Sequence, residues 1–178
     1  MTNDQQERHR YSIVARALHW LTVALVVAQF GVAWTMPEIG RGTRPTGLVA
    51  WHLSIGTTIL VVIVFRLLWR LTHHVPQPPN DLPPLLQLVS RSTHYLLYGL
   101  LLMLPLMGWA NASSRGWPVK LFAVLPLPQL VPEESTFGHQ LGDAHMTAAT
   151  LLLVLIGLHV LGALYHLLVL RDQTVQRM

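Results

Sequence analysis

The chain contains no cysteine. That absence excludes disulfides, thiolate metal sites and covalent haem attachment through a CxxCH motif. Charge is scarce too: 11% of the 178 residues are Asp, Glu, Lys or Arg, where a soluble domain carries about 25%. The eight acidic residues all fall outside the interiors of the long apolar runs. With 52% of residues hydrophobic, this deficit points to a bilayer as solvent. No internal repeat or low-complexity tract stands out.

A transmembrane helix needs about 20 predominantly apolar residues, and four stretches qualify. They span about 17–36 ("ALHWLTVALVVAQFGVAWTM"), 48–71, 93–112 and 145–170. The runs are continuous and Leu-rich, without the alternation of a membrane β-barrel. Little chain remains outside them, so a single-pass anchor on a soluble domain is excluded. The first run is longer than the apolar core of a signal peptide. It therefore reads as a retained span. The expected fold is all-α: one transmembrane four-helix bundle over residues 1–178.

Lys and Arg near the spans set orientation. Arg8, Arg10, Arg16, Arg66, Arg70, Arg91, Arg171 and Arg177 fall on one side. Arg41, Arg44, Arg115 and Lys120 fall on the other, offset by Glu38, Glu133, Glu134 and Asp143. Both termini are therefore expected in the cytoplasm, with the chain in a bacterial inner membrane. The basic balance reflects these flanks, and no basic helix or aromatic platform outside the bilayer suggests nucleic acid. The link "HHVPQPPNDLPP" reads as stiff and extended. The segment 113–142 reads either as a cap lying on the membrane with a short interfacial helix or as a plain surface loop.

Ten histidines stand out against this background. Four lie in tails and links (His9, His73, His74, His139), and six lie in or at the edges of spans (His19, His52, His94, His145, His159, His166). Ionisable residues inside spans are rare and functional by default. Alternating helix directions put His19 and His159 near the cytoplasmic end, and His52 and His145 near the periplasmic end. His145 and His159 are fourteen residues apart, about 21 Å along a helix and nearly four turns, so they share a face. Each has a depth-matched partner on another helix. Zinc normally takes four ligands, and no carboxylate or thiolate is at hand to complete its set. Haem supplies four equatorial nitrogens and asks only for axial ligands. Two b-type haems, on His19–His159 and His52–His145, follow. Ser54, Gly56, Ala144, Ala148, Gly157 and Gly162 beside the ligands leave room for close packing, as small residues also do between bare membrane helices.

The segments "RALHW", "WHLSIG", "FRLLWRL", "HYLLYGLLLMLPLMGW" and "LHVLGALYH", in this order and spacing, make the chain resemble the prokaryotic cytochrome b561 family. The related cytochrome b subunits of formate dehydrogenases and nickel hydrogenases share its histidine logic. The resemblance implies a four-helix bundle with two haems b, one on His19 and His159 and the other on His52 and His145. It implies electron transfer between the quinone pool and a periplasmic partner, with superoxide oxidation coupled to ubiquinone reduction as one form. It also implies a "HExH"-like context before the first ligand of the last helix. Here the chain reads "GHQLGDAHM", which leaves His139 as the alternative to His145. Tyr165 stands where some relatives have another histidine.

Bis-histidine ligation leaves no open iron position and favours outer-sphere electron transfer. His94 and His166 are expected at the cytoplasmic boundary near the cytoplasmic haem, either lining a quinone and proton site with Arg91 and Tyr165 or as polar groups reaching the interface. Arg16, Arg66 and Arg70, and on the other side Arg41, Arg44 and Arg115, are candidate partners for haem propionates. The latter set with Lys120 could steer a small anion. Two other readings stand beside this one: a haem-bearing anchor subunit of a larger redox complex, and a metal-ion transporter using intramembrane histidines.

Overall fold

The computed structural model describes residues 11–40, 42–73 and 83–177. His9, His74, Arg8, Arg10, Arg41 and most of the Pro-rich link lie outside the described residues. Four long helices follow in chain order: α1 (Ile13–Thr35), α2 (Leu48–Thr72), α3 (Pro84–Ser114) and α4 (Thr136–Tyr165). All four are long and apolar enough to cross a membrane.

The helix ends have local causes. Ser12 caps α1, its side-chain oxygen accepting from the Ala15 amide at 3.3 Å. Met36, extended at ψ 153°, precedes Pro37, which disfavours helical geometry in the residue before it. Pro84 opens α3 at its first turn, where a missing N–H costs nothing. Gly116, at φ +67°, closes α3. Its amide donates to Ser113 at 3.0 Å and the Trp117 amide to Ala112 at 2.9 Å, a Schellman pattern. Ser135 caps α4 through the Gly138 amide at 3.3 Å.

Three helices begin earlier than their apolar runs, α1 by one turn, at Ile13 rather than about residue 17, and two others by more than two turns. α3 starts at Pro84 rather than about residue 93, and α4 at Thr136 rather than about 145. Gly138 and Gly142 look like loop residues in sequence. In space they are close-approach positions, where a Cβ would stand 2.6 Å from the Ser114 Cβ and 2.8 Å from the Asn111 side chain. His139 accordingly lies in the first turn of α4. At its other end α4 runs into a π-helical turn, His166–Leu170, closed by Arg171 in the left-handed region at φ 51°.

The segment between α3 and α4 corrects one expectation. It forms a small antiparallel hairpin, β1 (Lys120–Leu121) with β2 (Leu125–Pro126), and no interfacial helix. Pro118, Pro126, Pro128 and Pro132 deny it the amide donors a helix needs. The hairpin lies on the bundle: Val119 is buried, Thr57 Oγ1 donates to the Lys120 carbonyl at 3.4 Å, and Trp109 Nε1 donates to the Pro128 carbonyl at 3.0 Å.

Most large apolar side chains face outward, as in a lipid-solvated bundle. The inner faces carry Ile59, Ile63, Leu104, Leu152 and Leu155 with Thr22, Ser54, Thr57 and Thr93. The threonine hydroxyls donate to carbonyls one turn back, as in Thr22 to Leu18 at 2.7 Å and Thr93 to Val89 at 2.8 Å, which satisfies them without water. α1 packs on α2, α2 on α3 and, most extensively, α3 on α4. The α4 backbone scarcely touches those of α1 and α2, and what bridges these separations is histidine.

Candidate functional site

The rings of His52 on α2 and His145 on α4 stand edge-on, with centres 6.1 Å and planes 71° apart. His19 on α1 and His159 on α4 do the same at 6.4 Å. A metal–imidazole bond is about 2.0–2.1 Å and the ring centre lies about 1.1 Å behind the bonding nitrogen, so two imidazoles across one iron have centres about 6.3 Å apart. Both pairs match that span. Among the described residues no group of three or more histidine or acidic ligands gathers to hold a metal. Each pair thus offers two donors across a gap between helices, the demand of a haem that brings its own four nitrogens. The donor set fits the group.

Further contacts prepare the rings. His145 Nδ1 lies 3.0 Å from the Leu104 carbonyl and must donate its proton there, leaving Nε2 free to bond a metal. Gly108 makes this approach possible, because a Cβ at that position would come 3.3 Å from His145 Cε1. His52 is held from α1. Gln29 Nε2 donates to the His52 main-chain carbonyl at 3.1 Å and stands 3.2 Å from His52 Nε2. At His19 the neighbour is a cation, Arg66 Nη2, 3.0 Å from Nδ1. A guanidinium only donates, so His19 accepts at Nδ1 and carries its proton on Nε2. For a metal to bond Nε2, this contact must open and the proton must move.

Arg66 has no carboxylate in reach among the described residues, whose one ion pair is His166–Asp172. Its guanidinium lies 5.2 Å from the Tyr98 ring centre, and that of Arg70 lies 5.9 Å from the same ring. Arg16, one turn before His19, buries Nε without a partner. Cations and an orphaned donor around one histidine pair favour an anionic group, and haem propionates have that chemistry. At the opposite end Arg115 is engaged locally, with Nε 3.4 Å from Asn111 Oδ1 and its guanidinium 5.4 Å from the Trp117 ring. Arg44, Arg91 and Lys120 are exposed.

His94 is not at the helix boundary. Because α3 begins at Pro84, His94 lies ten residues in, about 15 Å along the helix. There its ring stands edge-on to His159 with centres 5.0 Å apart. Iron does not fit between rings that close. His94 Nδ1 donates to the Ser90 carbonyl at 2.7 Å. His166 lies seven residues beyond His159, about 10 Å further along α4, so the structure sets His94 and His166 at different depths. His166 Nδ1 pairs with Asp172 Oδ2 at 2.6 Å. The Thr174 amide donates to Asp172 Oδ1 at 2.8 Å. Burial pushes the Asp172 carboxyl up, but the hydrogen bonds from Thr174 and His166 outweigh it and hold the group below its ordinary value. Tyr165 is exposed beside His166, ring centres 6.4 Å apart.

Gln29, Gly108 and Asp172 escape a reading by histidine spacing. For Gln29 a signal exists, as it is the one amide side chain in the apolar run of α1. Asp172 reaches His166 only because the backbone turns back at Arg171, which no spacing announces.

Residues 10–178 match the family model for prokaryotic cytochrome b561. The chain is 31% identical over 173 residues to the probable superoxide oxidase CybB of Yersinia pestis, covering 95% of each chain. It is 28% identical over 173 residues to cytochrome b561 homolog 2 of Escherichia coli strain K12, covering 95% of this chain and 90% of that one. To cytochrome b562 of Cereibacter sphaeroides it is 24% identical over 177 residues, covering 94% of each. Matched along nearly its whole length and built of four membrane-spanning helices, the chain belongs to the prokaryotic cytochrome b561 family of membrane b-type electron-transfer cytochromes.

Proposed function

We propose that the chain is a dihaem cytochrome that carries electrons across the bacterial inner membrane, from a periplasmic donor to a quinone on the cytoplasmic side. His52 and His145 hold the periplasmic haem, and His19 and His159 hold the cytoplasmic one. The observation that carries this reading is the pair of ring separations, 6.1 and 6.4 Å, both suited to one iron between two imidazoles. When bound, such a haem supplies a one-electron relay with no open iron position, which favours outer-sphere transfer over oxygen binding.

The chain's own residues do the rest. α4 is a shared rail, with ligands about 21 Å apart along its length. Leu104 and Gln29 orient the rings of one pair. Arg66, Arg16 and Arg70 neutralise anionic groups at the other. Superoxide is the donor that the name of the Yersinia relative supports. The balanced reaction is two superoxide anions plus quinone plus two protons, giving two dioxygen molecules and quinol. The protons enter from the cytoplasm. His166, paired with Asp172 just beyond the last helical turn, is positioned to pass them inward, and His94, against His159, to hand one to the quinone.

The test is optical and kinetic. Purified protein shows a b-type difference band with two haems per chain, and His52→Ala and His159→Ala each lose one. Proteoliposomes containing ubiquinone then reduce it when given superoxide. A colourless protein, or one whose haem survives both substitutions, defeats the reading.

A further inference from the structure

An amide inside a bilayer must find partners within the protein. Gln29 finds its partner in a single residue of another helix, His52, which its Nε2 meets twice, at the main-chain carbonyl (3.1 Å) and at ring Nε2 (3.2 Å). Gly56, one turn beyond His52, lies against the same amide, where a Cβ would make ordinary van der Waals contact with its nitrogen at 3.4 Å.

The hydrogen-bond inventory makes the contact specific. An amide N–H can only donate, so His52 Nε2 is an acceptor and the ring proton is on Nδ1. That is the tautomer a ligand needs, with the Nε2 lone pair presented. It is the opposite of His19, where Arg66 donates to Nδ1. Two atoms of the contact are buried without partners: His52 Nδ1, a donor, and Gln29 Oε1, an acceptor. They are complementary and belong to side chains already in contact. At the facing ligand, His145 gives its Nδ1 proton to the Leu104 carbonyl. His52 Nδ1 has no such partner, and Gln29 Oε1 is an unused acceptor on the side chain already in contact with the His52 ring.

We propose that Gln29 is the positioning residue of His52. It holds the ring in the Nδ1–H tautomer, and its amide oxygen takes up the Nδ1 hydrogen bond when a metal displaces the amide N–H from Nε2. Accepting a proton's hydrogen bond makes a ligand imidazole more basic and lowers the potential of its metal. Gln29 thereby sets the potential of one haem and leaves the other alone.

This inference rests on His52 being a haem ligand, and the experiment separates the two. Redox titration and low-temperature EPR are run on the membrane-extracted holoprotein, with the haem lost in His52→Ala identifying the site. Gln29→Met removes the acceptor and raises the midpoint potential of that haem. Gln29→Glu supplies a stronger acceptor and lowers it. In both, the g values of that haem shift and the signals of the His19–His159 haem stay as in the parent. Loss of that haem in Gln29→Met with retention in Gln29→Glu also supports the proposal. Unchanged potentials, shifts of one sign in both variants, equal displacement of both haems, or loss of that haem in both variants overturns it. A parent protein with no haem removed by His52→Ala overturns the ligand assignment itself and takes the inference with it.

Discussion

The ring of His94 stands edge-on against that of His159, centres 5.0 Å apart, while the His19 ring, also edge-on to His159, lies at 6.4 Å. Three imidazoles from three helices meet at one level, and only one of these two separations spans an iron. His94→Leu is therefore expected to keep both haems by pyridine haemochrome assay. Its rate of quinone reduction falls by about 10²-fold, the ordinary contribution of a positioned proton donor. Loss of a haem in His94→Leu would make His94 a ligand, and a full quinone rate would remove it from the site.

Arg66 sits against the same pair with no carboxylate partner among the described residues. Replacing it by Gln removes a cation that disfavours the oxidised, more positive state. At an effective dielectric near 20 and a separation of several ångströms, that is on the order of 2 kcal/mol, or about 90 mV for one electron. The midpoint potential of the haem retained in His52→Ala is expected to fall by roughly this amount in Arg66→Gln, as read by redox titration.

The Asp172 carboxylate anchors the end of α4 to His166 and Thr174. Burial pushes its pKa up, but the hydrogen bonds from Thr174 and His166 prevail and hold it below the ordinary 3.8. A depressed pKa means the folded state binds the proton less tightly than the unfolded chain. The stabilisation is fully present above the unfolded value and is lost as pH falls through the folded one. Amides of residues 170–176 are thus expected to exchange more slowly in the parent than in Asp172→Asn above about pH 4, as seen by hydrogen exchange. The difference closes as the pH drops further. A difference independent of pH would assign the anchor to packing rather than charge.

Gly108 and Gly138 allow two different close approaches. A Cβ at Gly138 would lie 2.6 Å from the Cβ of the fully buried Ser114, so one of the two helices must shift. Gly138→Val is expected to cost about 1–3 kcal/mol, the usual range for overpacking, read as a lowered Tm in detergent with both haems bound. A Cβ at Gly108 would lie 3.3 Å from His145 Cε1, so Gly108→Val displaces a ring rather than a helix. It is expected to lose the His52–His145 haem selectively and to keep the other.

What the residue order alone determined is whatever is local or periodic. Four apolar runs of membrane length follow from solvation of the backbone in lipid. Placing His19 opposite His159, and His52 opposite His145, follows from helix rise and chain direction, because a rigid helix converts fourteen residues into a depth and a face. The starts of α3 and α4 were not legible, because α3 opens on a proline with Gln87, Ser90, Arg91 and Ser92 breaking its apolar run, and the first turns of α4 are polar and glycine-bearing. Gly138 and Gly142 look like breakers until the Ser114 and Asn111 side chains of α3 lie against them.

Only the tertiary structure decided the contacts that no single helix carries. Proline spacing turned the α3–α4 connection into a hairpin laid on α2 where a surface helix was one of two expectations. The earlier start of α3 set His94 ten residues into that helix, and only packing brought its ring to within 5.0 Å of that of His159. Gln29 met His52 across twenty-three residues, and Asp172 came back onto His166 through a left-handed Arg171. Periodicity reports which face of a helix is apolar. Which polar atom on the next helix satisfies a histidine depends on crossing geometry and on the few ångströms that a missing Cβ releases, and those exist only once the helices are packed.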